Sequence, residues 1–317
     1  MARAPRSLLL GPLFLAALVV ACGEAADSPG SEADGGRAAS GGAGLGGDAG
    51  VGGSGASEPA CDCGFYERCD EGVCSRVDNL FFSASETILQ LEDGSVDVAI
   101  GSLTACGYRQ VADFPANPSQ VAEVGECQVF VTSPQTPPVA SAIESFLPDA
   151  GTLTFTSPTA GSQTLVPATN GCLDDGIADP DVHFMAAGEA VGFLVAGGAG
   201  FPAAMQTMTA PADLTITGPT LVTPGQDTTI TWSGSQGGQL SLSLSDSQSD
   251  GTSTTIFCFI ADTGSYTVPA AATSHLSSAP SFRSIGASRW VDALVQPPEP
   301  VLLHFRLVTS ASRRLAL

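Results

Sequence analysis

The stretch Gln239-Leu240-Ser241-Leu242-Ser243-Leu244-Ser245 alternates leucine with serine without a break. A period of two gathers the leucines on one face of an extended strand and scatters them around a helix. The segment is therefore a half-buried strand at a sheet surface. Shorter alternations recur at Val96, Val98 and Ile100, at Leu153 with Phe155, at Leu214 with Ile216, and at Ile230 with Trp232. Ile256 to Ile260 is apolar throughout and reads as a strand buried on both faces. Leu302 to Val308 supplies a last strand. Gly, Pro, Asn and Asp cluster between these runs, and 37 glycines with 22 prolines exclude a coiled coil or long-helix protein. Helix is expected at Val139 to Leu147, after Pro137-Pro138, and as a single turn at Ala270 to Leu276.

The expected fold class is all-β, with two β-sandwich domains at residues 76–210 and 211–317 and a hinge at Pro211. In the second, Thr228-Thr229-Ile230-Thr231-Trp232-Ser233 precedes the Leu/Ser strand, and Gly264-Ser265-Tyr266-Thr267-Val268-Pro269 follows it. This order resembles the immunoglobulin-like modules of cell-surface proteins.

Arg3 and Arg6 lead into an apolar run from Ser7 to Val20, broken only by Gly11 and Pro12. It is shorter than the roughly 20 apolar residues that span a bilayer, so residues 1–21 read as an export signal. The run ends Val19-Val20-Ala21-Cys22, which resembles the bacterial lipoprotein signal. That resemblance implies cleavage before Cys22, lipid on its thiol and a membrane as partner through the acyl chains. Gly23 rather than Asp follows the cysteine, which implies an outer-membrane lipoprotein facing the periplasm or the cell surface. Residues 22–60 hold 13 of the glycines and no aromatic, too little apolar surface to offset ordering entropy, and read as a disordered tether. As a flexible coil it would reach roughly 30–35 Å.

Residues 61–75 carry Cys61, Cys63, Cys69 and Cys74. Four such cysteines suit zinc or two disulfides, and an exported chain meets an oxidising compartment, so disulfides are expected. Cys61–Cys63 is too close to bridge well. Either Cys61–Cys69 with Cys63–Cys74, or Cys61–Cys74 with Cys63–Cys69, remains open. The segment resembles the short Cys-rich knots that follow Gly/Ser tethers in myxobacterial surface lipoproteins. Cys106, Cys127, Cys172 and Cys258 complete an even set of eight, with Cys106–Cys127 and Cys172–Cys258 expected as pairs.

All 11 basic residues are arginines, against 32 acids, for a net charge of −21. Nucleic acid is excluded as a partner, because phosphate contacts need a basic face. His183, His275 and His304 lie far apart, and no HExxH helix, GxSxG elbow or P-loop occurs. Gly198, Gly200 and Ala203 fit GxGxxA, but no βαβ alternation surrounds them, so a tight turn between strands is expected.

The acidic run Asp174, Asp175, Asp179 and Asp181 reads first as a solvated loop. Hard calcium prefers clustered oxygen ligands, which makes a Ca²⁺ site the next reading. Carboxylate-dependent hydrolysis of an envelope polysaccharide is a third. The expectation is a non-catalytic binding or structural protein of the envelope that recognises a glycan or protein, with no cofactor beyond calcium.

Overall fold

The computed structural model describes residues 63, 66–70, 73–112, 119–136, 141–167, 172–174 and 183–317. The chain divides into two compact units, Met1–Ser75 and Arg76–Leu317. In the first, β1 (Glu67–Asp70) pairs with β2 (Val73–Arg76). A Cys63–Cys74 disulfide with a Cα separation of 5.5 Å closes this piece. It belongs to the first of the two arrangements left open by the sequence. Cys69 is also disulfide-bonded; Cys61, like Cys22, lies outside the described residues.

The second unit is an all-β sandwich. Its first strands are β3 (Asp78–Gln90), β4 (Val96–Gln110), β5 (Gln120–Val124), β6 (Cys127–Thr132), β7 (Ile143–Phe146), β8 (Leu153–Ser157) and β9 (Gly161–Thr164). Next come β10 (Val166–Pro167), β11 (Leu173–Asp174), β12 (Ala190–Val195), β13 (Ala204–Thr209), β14 (Ile216–Gly218) and β15 (Thr228–Trp232). The last are β16 (Gln239–Ser247), β17 (Ser253–Ala261), β18 (Ser265–Val268), β19 (Phe282–Val295) and β20 (Val301–Arg314). One helical turn, α1 (Ala270–Thr273), follows β18 where the sequence places it.

One large sheet runs β10-β11-β4-β3-β20-β19-β16-β17-β6-β5, with β7 added on β4. Two smaller sheets, β13-β12-β8-β9 and β14-β15-β18, make the opposing layer. The first of these closes a core of Leu80, Phe82, Phe155, Phe193 and Phe305, in which the Phe82 and Phe193 rings meet edge-on at 4.8 Å. The second closes a core of Ile230, Trp232, Leu240, Leu242, Leu244, Ile256 and Ile285. Each fully buried side chain of this size contributes about 2 kcal/mol.

β20 belongs to both cores. It pairs in parallel with β3 in unbroken register from Val301 to Arg313. Its odd-numbered residues therefore share one face. Leu303, Phe305 and Leu307 enter the first core and Ala311 the second, so both small sheets cover the same side of the large one. This corrects the two-domain division at residue 210. The chain does have two cores, but β5 and β6 serve the second from within residues 76–210, and β20 serves both. The segment after Pro211 is not a hinge either, because the Ala212 carbonyl accepts from Thr309 Oγ1 at 3.0 Å and from the Arg289 guanidinium at 3.3 Å.

Three further expectations are overturned. Cys106 pairs with Cys172 and Cys127 with Cys258, not in sequence order. Cys127 and Cys258 face each other in the β6–β17 ladder, and Leu173 opposite Ala105 sets Cys172 beside Cys106. Five strands separate β4 from β6 in the sheet, so Cys106 and Cys127 sit about 29 Å apart at ordinary strand spacing.

Within the helix expected at 139–147, Ile143–Phe146 is instead strand β7, with Gly107 opposite Phe146, and residues 139 and 140 lie outside the described residues. A Cβ at Gly107 would run into the Phe146 ring, so glycine lets that ring lie across the sheet. Finally, Ile256 to Ile260 is not buried on both faces. Ile256, Cys258 and Ile260 point into the core, whereas Phe257 is half-buried on the outer face, edge-on to Phe130 at 6.0 Å.

Candidate functional site

Between the two small sheets the inner face of the large sheet changes character. Along β3 the inward positions read Leu80, Phe82, Ala84, then Glu86. In register beside Glu86 lie Thr309 on β20 and Arg289 on β19. A polar row thus crosses the seam between the two cores. Over the β3–β4 end of that row opens a cleft of about 460 Å³. Ile88, Ala99 and Thr309 line it from the large sheet, Met185 and His183 from the segment before β12, and Asp213 with Leu214 from the segment before β14.

Glu86 holds this cleft in shape. Its Oε1 accepts the backbone N–H of Phe184 in a short bond and that of Met185 at 3.3 Å. His183 Nδ1 lies 3.3 Å from Oε2. Burial pushes the Glu86 carboxyl above the ordinary carboxylate range, and the Phe184 and Met185 N–H groups and then His183 pull it back only in part. A second carboxylate, Glu189, accepts from the Thr159 hydroxyl at 2.5 Å and the Ala186 N–H at 3.1 Å. Those bonds hold Glu189 below the usual range. Together the two acids fasten the segment 183–189 over the seam.

Arg289 closes the other end of the row. Its guanidinium Nε is 3.2 Å from Asp262 Oδ2, with both side chains nearly inaccessible. It also donates to the carbonyls of Ser233 at 3.0 Å and Gly234. Asp262 in turn accepts from Trp232 Nε1 at 2.7 Å.

The residues singled out from the sequence fall elsewhere. Asp174 sits on β11 opposite Thr104; Asp175, Asp179 and Asp181 lie outside the described residues. Among the described residues no group of three or more His, Cys, Asp or Glu is placed to hold a metal ion. The glycine motif at 198–203 makes the turn between β12 and β13, with Gly197 at φ 91°. Glu86 was not anticipated. The signal was present, since a carboxylate interrupts an alternating apolar face where period two demands a core residue.

His304 is buried on the opposite face of β20. Asn79 Nδ2 donates to the Val77 carbonyl, so Asn79 Oδ1 is left to accept from His304 Nε2 at 2.8 Å. Burial, then the charge of Arg306, lowers the imidazole from 6.5 to about 4. The unfolded chain takes up this proton first as pH falls. The stabilisation is thus complete above about pH 6.5 and drains away toward pH 4, by about 3 kcal/mol. Glu86 tilts the same window the other way, since its raised carboxyl favours folding at lower pH. The His304 contribution is isolated by urea titrations of the protein and of His304→Gln at pH 7 and pH 4.5. The gap between the two proteins is expected to shrink at the lower pH.

No protein-family model matches the chain, and no curated protein matches it. Among solved structures, the yeast delta-COP-I mu-homology domain aligns at 9% identity and a TM-score of 0.24, covering 76% of this chain and 98% of that one. The same domain in complex with a Dsl1 WxWxV peptide aligns at 11% identity and 0.23, with the same coverage. Likenesses this slight bear on neither the fold nor the function of this chain.

Proposed function

We propose that this chain is a lipid-anchored protein of the cell envelope with a non-catalytic binding or structural role. The observation that carries the reading is the cysteine pairing. Cys63–Cys74, Cys106–Cys172 and Cys127–Cys258 are all joined, and bonds of this kind persist in oxidising compartments outside the cytoplasm. The apolar leader ending at Cys22 and the glycine-rich tether behind it supply the anchor and the reach. The non-catalytic role is supported by Glu86. Its oxygens are engaged by Phe184, Met185 and His183, which fits a positioning carboxylate better than a catalytic one. Asp174 and its three neighbours remain the proposed point of calcium assistance.

The test is retention of the full chain on polysaccharide and protein fractions of the producing cell's envelope, with calcium and with chelator. Retention on one fraction without breakdown of the polysaccharide is expected. Hydrolysis that disappears when Asp174, Asp175, Asp179 and Asp181 are changed to Asn would overturn the reading in favour of a carboxylate-dependent hydrolase.

A further inference from the structure

We infer that the cleft over Glu86 is a binding site for a small organic cation, an ammonium group carried on a short apolar body. This deepens the binding role proposed above and rests on it. Volumes of a few hundred Å³ are typical of small-molecule sites, which combine apolar walls with a few convergent polar groups. The cleft has both parts. Ile88, Ala99, Met185 and Leu214 are its apolar walls, and its ionisable lining groups are Glu86, Asp213 and His183. The Glu86 side chain is only 9% exposed.

Charge selects the ligand class. The N–H groups nearest the floor, those of Phe184 and Met185, are already donated to Glu86 Oε1, so an anion would meet filled donors and two carboxyl groups. Among the described residues no arginine lines the cleft. The nearest one along the polar row, Arg289, is paired with Asp262 and lies only within electrostatic reach of Asp213. A cation would instead share Glu86 Oε2 with His183 and lie near Asp213, and a charge-assisted hydrogen bond in a partly desolvated site is among the stronger polar contacts. Its apolar body would cover the surface of Ile88 and Ala99.

Hexylamine, protonated at neutral pH, is the probe, with hexanoate as the matched anion. Calorimetric titration of the full chain should give saturable one-site binding of hexylammonium and none of hexanoate. Two variants locate the site. Glu86→Gln with Asp213→Asn keeps an acceptor for Phe184 and Met185 and removes both charges; a loss of at least tenfold in affinity is expected. Ala99→Phe fills the cleft and should abolish binding, with unchanged circular dichroism showing that each variant is folded. The inference is overturned if hexylammonium does not saturate, if hexanoate binds equally, or if folded variants bind as the parent does. Failure here is separable from failure of the envelope role. Parent protein that is retained on an envelope fraction but gives no saturable hexylammonium binding sinks the cleft and leaves the wider reading intact.

Discussion

Replacing Cys127 and Cys258 together by alanine is expected to cost about 5 kcal/mol of folding stability. The two residues are 131 apart in sequence, and closing so long a loop removes much of the unfolded chain's freedom. Both cysteines are also buried in the second core. Topology adds to the effect. β4 lies near one end of the large sheet, β5 and β6 form the other end, and β7 returns to β4. The Cys127–Cys258 bond fastens that excursion to β17. Since a domain of this kind has about 5–15 kcal/mol in all, the double variant should be marginal at room temperature. Urea denaturation followed by tryptophan fluorescence measures the loss. A midpoint unchanged from the parent would show that β5 and β6 hold their place without the bond.

The second large effect is expected at Asp262. Asp262→Ala leaves the Arg289 guanidinium, only 3% exposed, without its ion-pair partner, and leaves Trp232 Nε1 without an acceptor. Breaking one side of a buried pair typically costs about 3–5 kcal/mol, mostly from the stranded charge. The companion variant isolates that cause. Asp262→Ala combined with Arg289→Met removes both charges and should recover most of the loss. If the double variant is no more stable than Asp262→Ala, the stranded charge is not the source of the cost.

The parts of this fold that could be read from the sequence are the ones that depend on near neighbours. The Leu240–Leu244 alternation and the Thr228–Trp232 run each carry their own period, and each became a strand at that place. The turn at Ala270 starts directly after Pro269, a local signal, although Asp227 also accepts the Ala270 N–H. What escaped the sequence depends on distant partners. Ile143–Phe146 is a strand because β4 offers it an edge and Gly107 makes room for Phe146. Disulfide pairing follows ladder register, and register between residues 131 apart leaves no local trace. The shared strand β20 shows the same limit. The strand over Leu302 to Val308 is legible in the sequence, but nothing nearby says that Leu303 and Ala311 enter different cores.

The cleft was half legible. Glu86 marks itself by breaking the apolar face of β3, but the pattern alone does not distinguish a surface turn of the strand from a gap between two opposing sheets. That distinction depends on the segments before β12 and β14, which reach over the large sheet at the cleft. Its partners Phe184 and Met185 lie 98 and 99 residues away, and they contribute backbone N–H groups, which any residue supplies.

The central claim, an exported and lipid-anchored disulfide protein, is tested most directly by mass spectrometry of protein purified from producing cells without reductant. The expected species is a chain that begins at Cys22 with acyl chains attached, and no free thiol among the other eight cysteines. A chain that retains residues 1–21, or that carries free thiols at Cys127 and Cys258, would contradict it.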